Sequence, residues 1–78
     1  MPLKNHARIT KDLYKTRRER FTELVQSMTN GAIASALGVK SSYVSQLKNG
    51  NRNITGDSAR VIEENLGAPR GYLDGVGA

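Results

Sequence analysis

The chain has 78 residues, no cysteine and a formal net charge of +5 at pH 7. This length allows one small domain with a modest core. The lack of cysteine excludes disulfides and thiolate metal sites and favours an intracellular compartment. A lone histidine near the terminus, His6, gives no basis for a metal site, and we expect no cofactor. No apolar run approaches the roughly 18 residues of a membrane span, and a signal-peptide core is missing. We therefore expect a soluble, cytoplasmic protein with no membrane partner.

The positive charge is unevenly distributed. Residues 1–20 carry seven basic side chains against two acidic ones, and residues 29–54 carry Lys40, Lys48 and Arg52 with no acidic residue. Five of the seven acidic residues lie outside these two segments. Such segregation favours a polyanionic partner, although a basic surface without a partner would have the same composition.

The N-terminal third predicts a flexible basic arm over residues 1–9, followed by a helix. Strand-like alternation with hairpin turns is missing, so we expect an all-α fold. Apolar residues three and four apart mark the first long helix; they are Phe21, Leu24, Val25 and Met28. Its start is ambiguous. The sequence "TRRE" forms a capping box at Thr16, whereas Ile9, Leu13 and Tyr14 indicate an earlier turn near Thr10.

Three further helices are predicted, and each ends at a glycine. The second begins after the capping residue Thr29 and runs to residue 37, where Gly38 supplies a left-handed stop. The third covers about residues 41–48 and ends at "NG". The fourth starts at Thr55 or Gly56 and ends before Gly67. The fourth helix is predicted to bury Ala59, Ile62 and Leu66. Tyr72 and Leu73, in a short turn or helix opened by Pro69, can then close the core.

The second and third helices are predicted to pack as a helix-turn-helix over about residues 29–49. A three-residue turn requires the helices to cross closely, and the small residue Ala34 permits this approach. Val39 is expected to fill the turn. We expect residues 10–74 to form the domain and residues 75–78 to form a tail or linker. The inward residues at the crossing are Ile33, Leu37, Val44 and Leu47.

The segment "AIASALGVKSSYVSQLKNGNR" resembles the helix-turn-helix of the lambda-repressor and Cro superfamily, the Xre-type regulators. The segment "RRERFTELVQSM" resembles the first helix of that family, and "ITGDSARVIEENLGAPRGYLD" resembles its closing helices, as in phage repressors. The resemblance covers roughly residues 17–74. It implies a compact bundle of four to five short helices that binds double-stranded DNA through the third helix.

A helix in the major groove reads base edges with its N-terminal residues. Gln46 is the strongest candidate, because its amide can pair bidentately with adenine for about 1–3 kcal/mol of discrimination. Tyr43 either contacts the DNA or braces the neighbouring helix. Ser41 either reads a base or caps the third helix in place of Lys40. The predicted base-reading residues are Ser41, Ser42, Tyr43, Ser45 and Gln46.

The resemblance also implies phosphate contacts at the start of the second helix and in the loop after the third. Three positions depart from the family pattern. Asn30 stands where glutamine is frequent, Lys40 where serine or threonine is common, and Lys48 where an acidic residue is frequent. The predicted phosphate-contacting residues are Thr29, Asn30, Lys40, Asn49, Gly50, Asn51, Arg52, Asn53, Arg17 and Arg18.

The function implied by the resemblance is a sequence-specific transcription regulator, most closely a phage or prophage repressor, that binds a two-fold DNA operator as a homodimer. The chain is either a complete Cro-like protein or the DNA-binding domain of a longer repressor with a larger C-terminal domain. The alternative is a protein-interaction module of the same fold, either an antitoxin or a regulator captured by an antirepressor. Catalytic sets and phosphate-binding glycine loops are missing, so an enzyme is not expected. Apolar residues for either a dimer contact or the core are Leu66, Tyr72, Leu73 and Val76.

Overall fold

The computed structural model describes residues 2–75, with side chains from residue 12 onward, and the predicted tail beyond Gly75 lies outside this part. Four α-helices, α1 to α4, are followed by one short 3₁₀ helix, and no strand occurs in residues 2–75. The predicted all-α class is therefore confirmed. No helix in the described part combines the length and the apolarity that crossing a membrane requires. The elements are α1 (Pro2–Leu24), α2 (Asn30–Leu37), α3 (Ser41–Asn49), α4 (Gly56–Leu66) and the 3₁₀ helix (Tyr72–Asp74).

Helix α1 runs without interruption for 23 residues. The backbone of residues 2–9 is helical and continues into α1, whereas the sequence predicted a flexible arm over residues 1–9. No glycine or proline lies between residues 3 and 30 to stop a helix, and Pro2 occupies the first turn, where proline is tolerated. Thr16 lies inside the helix and therefore does not cap it.

The connection between α2 and α3 has the predicted bounds. The Thr29 hydroxyl accepts a hydrogen bond from the Ala32 amide at 3.1 Å and caps α2. Gly38 adopts φ 70°, where a Cβ would be strained, and so ends α2. Lys40 occupies the N-cap of α3 and makes no side-chain cap bond. Ser41 is thus the first residue of α3 and stays exposed.

The core is built from one apolar side of each helix. Ala34, which is 6 % exposed, lies among the buried residues of α2 and α3, where its small side chain permits close packing. Val39 does not fill the turn as predicted, because the residue is 36 % exposed. Leu24, Met28, Leu37 and Leu66 pack around the edge of the core. The other buried apolar residues of the core are Phe21, Val25, Ile33, Val44, Leu47, Ile54, Ala59, Ile62 and Leu73.

An arginine on α1 ties that helix to the C-terminal segment. Arg17 is 7 % exposed; its Nε donates to Asp74 Oδ1 at 2.7 Å, and its Nη1 donates to the Ile54 carbonyl at 3.0 Å. Arg60 Nη2 lies 3.1 Å from the same Asp74 oxygen. The hydrogen bond from Arg17 lowers the pKa of Asp74, with smaller lowering from Arg60, although partial burial acts in the opposite direction.

Glu63 holds the 3₁₀ segment against α4. Its carboxylate is buried and accepts the backbone N–H groups of Gly71 at 3.0 Å and Leu73 at 2.8 Å. Arg60 Nε lies 2.9 Å from Glu63 Oε1 and balances the buried charge. Charged side chains are rarely buried to this extent unless they are paired in this way.

Replacing Glu63 by alanine should destabilise the protein strongly, because two buried backbone N–H groups and Arg60 lose their acceptor. We expect the free energy of unfolding to fall by about 2–5 kcal/mol, measured by urea denaturation. Glu64→Ala is the matched control, since Glu64 is the next residue and is exposed; its change should stay within about 0.5 kcal/mol. Equal effects of the two variants would contradict this role of Glu63.

The lowered pKa of Asp74 predicts an acid-sensitive contribution to stability. Its folded pKa lies below the ordinary value of 3.8. The stabilisation is therefore complete above that value and is lost as the pH falls through the folded pKa. Asp74→Asn should flatten the dependence of the unfolding free energy on pH below about 4. Asp12→Asn, at an exposed position of α1, should leave the acid dependence close to that of the unmodified protein.

Candidate nucleic-acid interface

Helix α3 has one buried side and one side that faces solvent. Val44 and Leu47 are buried against the core, whereas Ser41 and Ser42 at its first turn are exposed. The other predicted base-reading residues, Tyr43, Ser45 and Gln46, are half-buried at the margins of the exposed side. The exposed side thus carries hydroxyl and amide groups that can exchange hydrogen bonds with an external partner.

Asn30 links the start of α2 to α3. Its Nδ2 donates to Ser45 Oγ at 3.0 Å, and its Oδ1 accepts from Lys48 Nζ at 2.6 Å. The asparagine side chain therefore spans from the start of α2 to α3. The contact fixes the orientation of Ser45, whose hydroxyl hydrogen can still be donated outward.

The loop after α3 folds back over that helix. Gly50 ends α3 at φ 85°, and the Asn49 side chain accepts the Asn51 amide at 2.9 Å. Arg52 Nε then donates to Gln46 Oε1 at 3.0 Å, and the guanidinium lies 5.0 Å from the centre of the Tyr43 ring. Tyr43 is thus braced by a cation from the loop, which neither of its sequence interpretations included.

Most of the predicted phosphate-contacting residues lie on the surface around α3. Arg18, on α1, extends its guanidinium to the end of α3. Its Nη1 lies so close to Gly50 that a Cβ added at that glycine would be only 2.6 Å away. Asn30 and Gly50 are half-buried, as is Arg18. The exposed members of the set are Thr29, Lys40, Asn49, Asn51, Arg52 and Asn53.

One predicted phosphate contact needs correction. Arg17 is wrong as a phosphate contact, because its guanidinium is buried and engaged by Asp74 and the Ile54 carbonyl. Of the two roles left open for Leu73, the structure shows the core, in which this residue is fully buried. Leu66 and Tyr72 pack partly against the same core. Val76 lies outside the described residues.

The surface around α3 is positively charged. Lys40, Lys48 and Arg52 lie in a segment without acidic residues, and Arg18 adds a fourth cation. A shallow cleft of about 250 Å³ on this side is lined by Val39, Lys40, Ser42, Tyr43, Gln46 and Arg52. Residues 12–75, whose side chains are described, contain no group of three His, Asp or Glu residues that could hold a metal ion. The arrangement is suited to binding an anionic surface with many hydrogen-bond acceptors.

The sequence did not reveal the contacts that hold this surface together. Ser45 and Lys48 are three residues apart, so the sequence alone indicates that they lie on the same side of α3. Their common partner Asn30 lies fifteen residues before Ser45. Only the crossing of α2 and α3 brings the three side chains together.

Neither the known family models, nor the curated proteins, nor the solved structures include a significant match to this chain.

Proposed function

We propose that this protein is a sequence-specific double-stranded DNA-binding regulator, with α2 and α3 forming a helix-turn-helix of the lambda-repressor and Cro type. The observation that carries the proposal is the sidedness of α3. Because Val44 and Leu47 are buried, the serines in the first turn of α3 and, one turn later, Gln46 lie on the side that faces solvent. The segment around them, residues 29–54, contains no acidic residue. An α-helix fits the major groove of B-DNA, where such side chains can reach base edges.

The surroundings of α3 supply groups that would position the protein on the DNA backbone. The N-terminus of α2 offers amides and the positive end of the helix dipole, beside the exposed Thr29. Lys40 precedes α3, and the exposed loop residues 51–53 follow it. These groups flank the proposed reading helix at both ends, as phosphate contacts must if they are to set its register.

Within this proposal, the biological role is a transcription repressor of the phage or prophage type, which acts by occupying an operator. One small domain buries too little DNA for tight specific binding, so two copies on a two-fold operator are expected. The half-sites should lie about one helical turn apart. No catalytic activity and no cofactor form part of the proposal.

Selection from a random duplex library should enrich a two-fold-related sequence. Binding to it should weaken with salt, with a slope of log K against log salt of about −0.9 for each phosphate neutralised. Lys40→Ala should reduce the magnitude of that slope by about 0.9 for each bound copy that loses a phosphate contact. The slope is measured by fluorescence anisotropy titrations. Failure to enrich any duplex, together with a tight protein partner that covers residues 41–46, would favour the protein-interaction module instead.

Replacing Gln46 by alanine should relax the preference at one base pair in each half-site. The expected loss of discrimination is about 1–3 kcal/mol at that pair, with little change at the others. Competition titrations against duplexes substituted at single positions measure the effect. Asn65→Ala, which removes an exposed amide from α4, is the control and should leave every preference unchanged. A uniform loss of affinity on all duplexes would assign Gln46 no reading role.

A further inference from the structure

Arg52 contacts Gln46 through both its side chain and its backbone. Its Nε donates to Gln46 Oε1 at 3.0 Å, and its backbone N–H donates to the Gln46 carbonyl at 3.2 Å. The guanidinium also lies 5.0 Å from the centre of the Tyr43 ring, within the range of a cation–π contact. Arg52 is therefore held over α3 by three separate interactions.

The chemistry of Arg52 determines which end of the Gln46 amide faces it. A guanidinium carries only donors, so the amide must present its oxygen to Arg52. The reversed amide would place the Nε2 hydrogens against the Nε hydrogen of Arg52. The contact therefore directs the Gln46 NH₂ group away from Arg52, while Oε1 retains a second lone pair.

We propose that Arg52 is a positioning residue that sets the base preference of Gln46, in addition to any phosphate contact of its own. This inference rests on the proposed function. An unrestrained glutamine can present either end of its amide to a base edge, and it loses rotamer freedom when it binds. A glutamine held by Arg52 presents one orientation, so it discriminates more strongly and has less freedom to lose.

Arg52 is also well suited to remain in place while it contacts DNA. Its hydrogen bond to Gln46 uses Nε, and its two Nη groups make no hydrogen bond within residues 12–75. Those groups can contact a phosphate while Nε holds the glutamine, as the forked geometry of arginine permits and that of lysine does not. The cation–π contact with the Tyr43 ring also favours this position of the guanidinium.

The test is a double-mutant cycle on the enriched duplex and on a scrambled duplex of equal length. Affinities are measured for the unmodified protein, Gln46→Ala, Arg52→Ala and the double variant. The ratio of the two affinities cancels the uniform phosphate contribution and leaves the sequence preference. Arg52→Ala should lower this ratio by about fivefold or more, the lower end of the effect of losing a base contact. The double variant should show the same ratio as Gln46→Ala alone.

Two further variants separate positioning from charge. Arg52→Lys keeps the positive charge, so affinity for the scrambled duplex should be nearly unchanged while the preference falls. Lys40→Ala, the matched control, removes a cation from the same cleft without touching Gln46, and it should lower both affinities by the same factor. The inference is overturned if Arg52→Ala, like Lys40→Ala, lowers both affinities by the same factor. It is also overturned if the fold-loss of the affinity ratio in the double variant equals the product of the losses in the two single variants.

A measurement without DNA separates failure of this inference from failure of the proposed function. In ¹⁵N relaxation experiments the Gln46 side-chain amide should be ordered in the unmodified protein and in Lys40→Ala, and mobile in Arg52→Ala. An amide equally mobile in all three overturns the positioning role even if the protein selects a DNA sequence. An ordered amide with no duplex enriched instead rejects the proposed function, and the proposed base preference with it.

Discussion

Burial of Val44 and Leu47 in the core decides which side of α3 meets solvent. Both residues are essentially inaccessible, and removing two aliphatic side chains of this size from water stabilises the fold by about 1.5–3 kcal/mol each. Rotating α3 to expose them would forfeit that stabilisation and would bury serines and a glutamine instead. The polar surface on which the proposed DNA contact depends is thus a consequence of the core.

Two carboxylates stabilise the end of the chain that closes this core. Glu63 accepts hydrogen bonds from the backbone N–H groups of Gly71 and Leu73. Asp74 pairs with Arg17 of α1 and Arg60 of α4. Small domains have little apolar surface to bury, so a segment as short as residues 71–74 needs polar contacts in addition to Leu73. Arg17 belongs to this network, which explains why it is not available at the surface beside Arg18.

The proposed reading surface is organised by side chains that also contact one another. Asn30 orients Ser45 and Lys48, and Arg52 orients Gln46. Each pair combines a residue of α3 with a residue from a neighbouring segment, so the surface is partly ordered before any partner binds. Such preorganisation reduces the conformational entropy that binding must overcome. The exposed residues Ser41 and Ser42 carry no comparable restraint in the described hydrogen bonds.

The amino-acid sequence by itself determined the bounds of α2, α3 and α4, because capping hydroxyls and glycines with positive φ act through bonds only a few residues long. It also determined the buried sides of these helices through the spacing of their apolar residues. For α1 it indicated the helix but not its first turns, because residues 2–9, which contain no helix breaker after Pro2, were interpreted as an arm. Only the tertiary structure decided the burial of Arg17 and Glu63, the exposure of Val39, and the pairing of Arg52 with Gln46. These outcomes depend on which segments the folded chain brings into contact, and local spacing carries no information about partners that lie far apart in the sequence or across a turn.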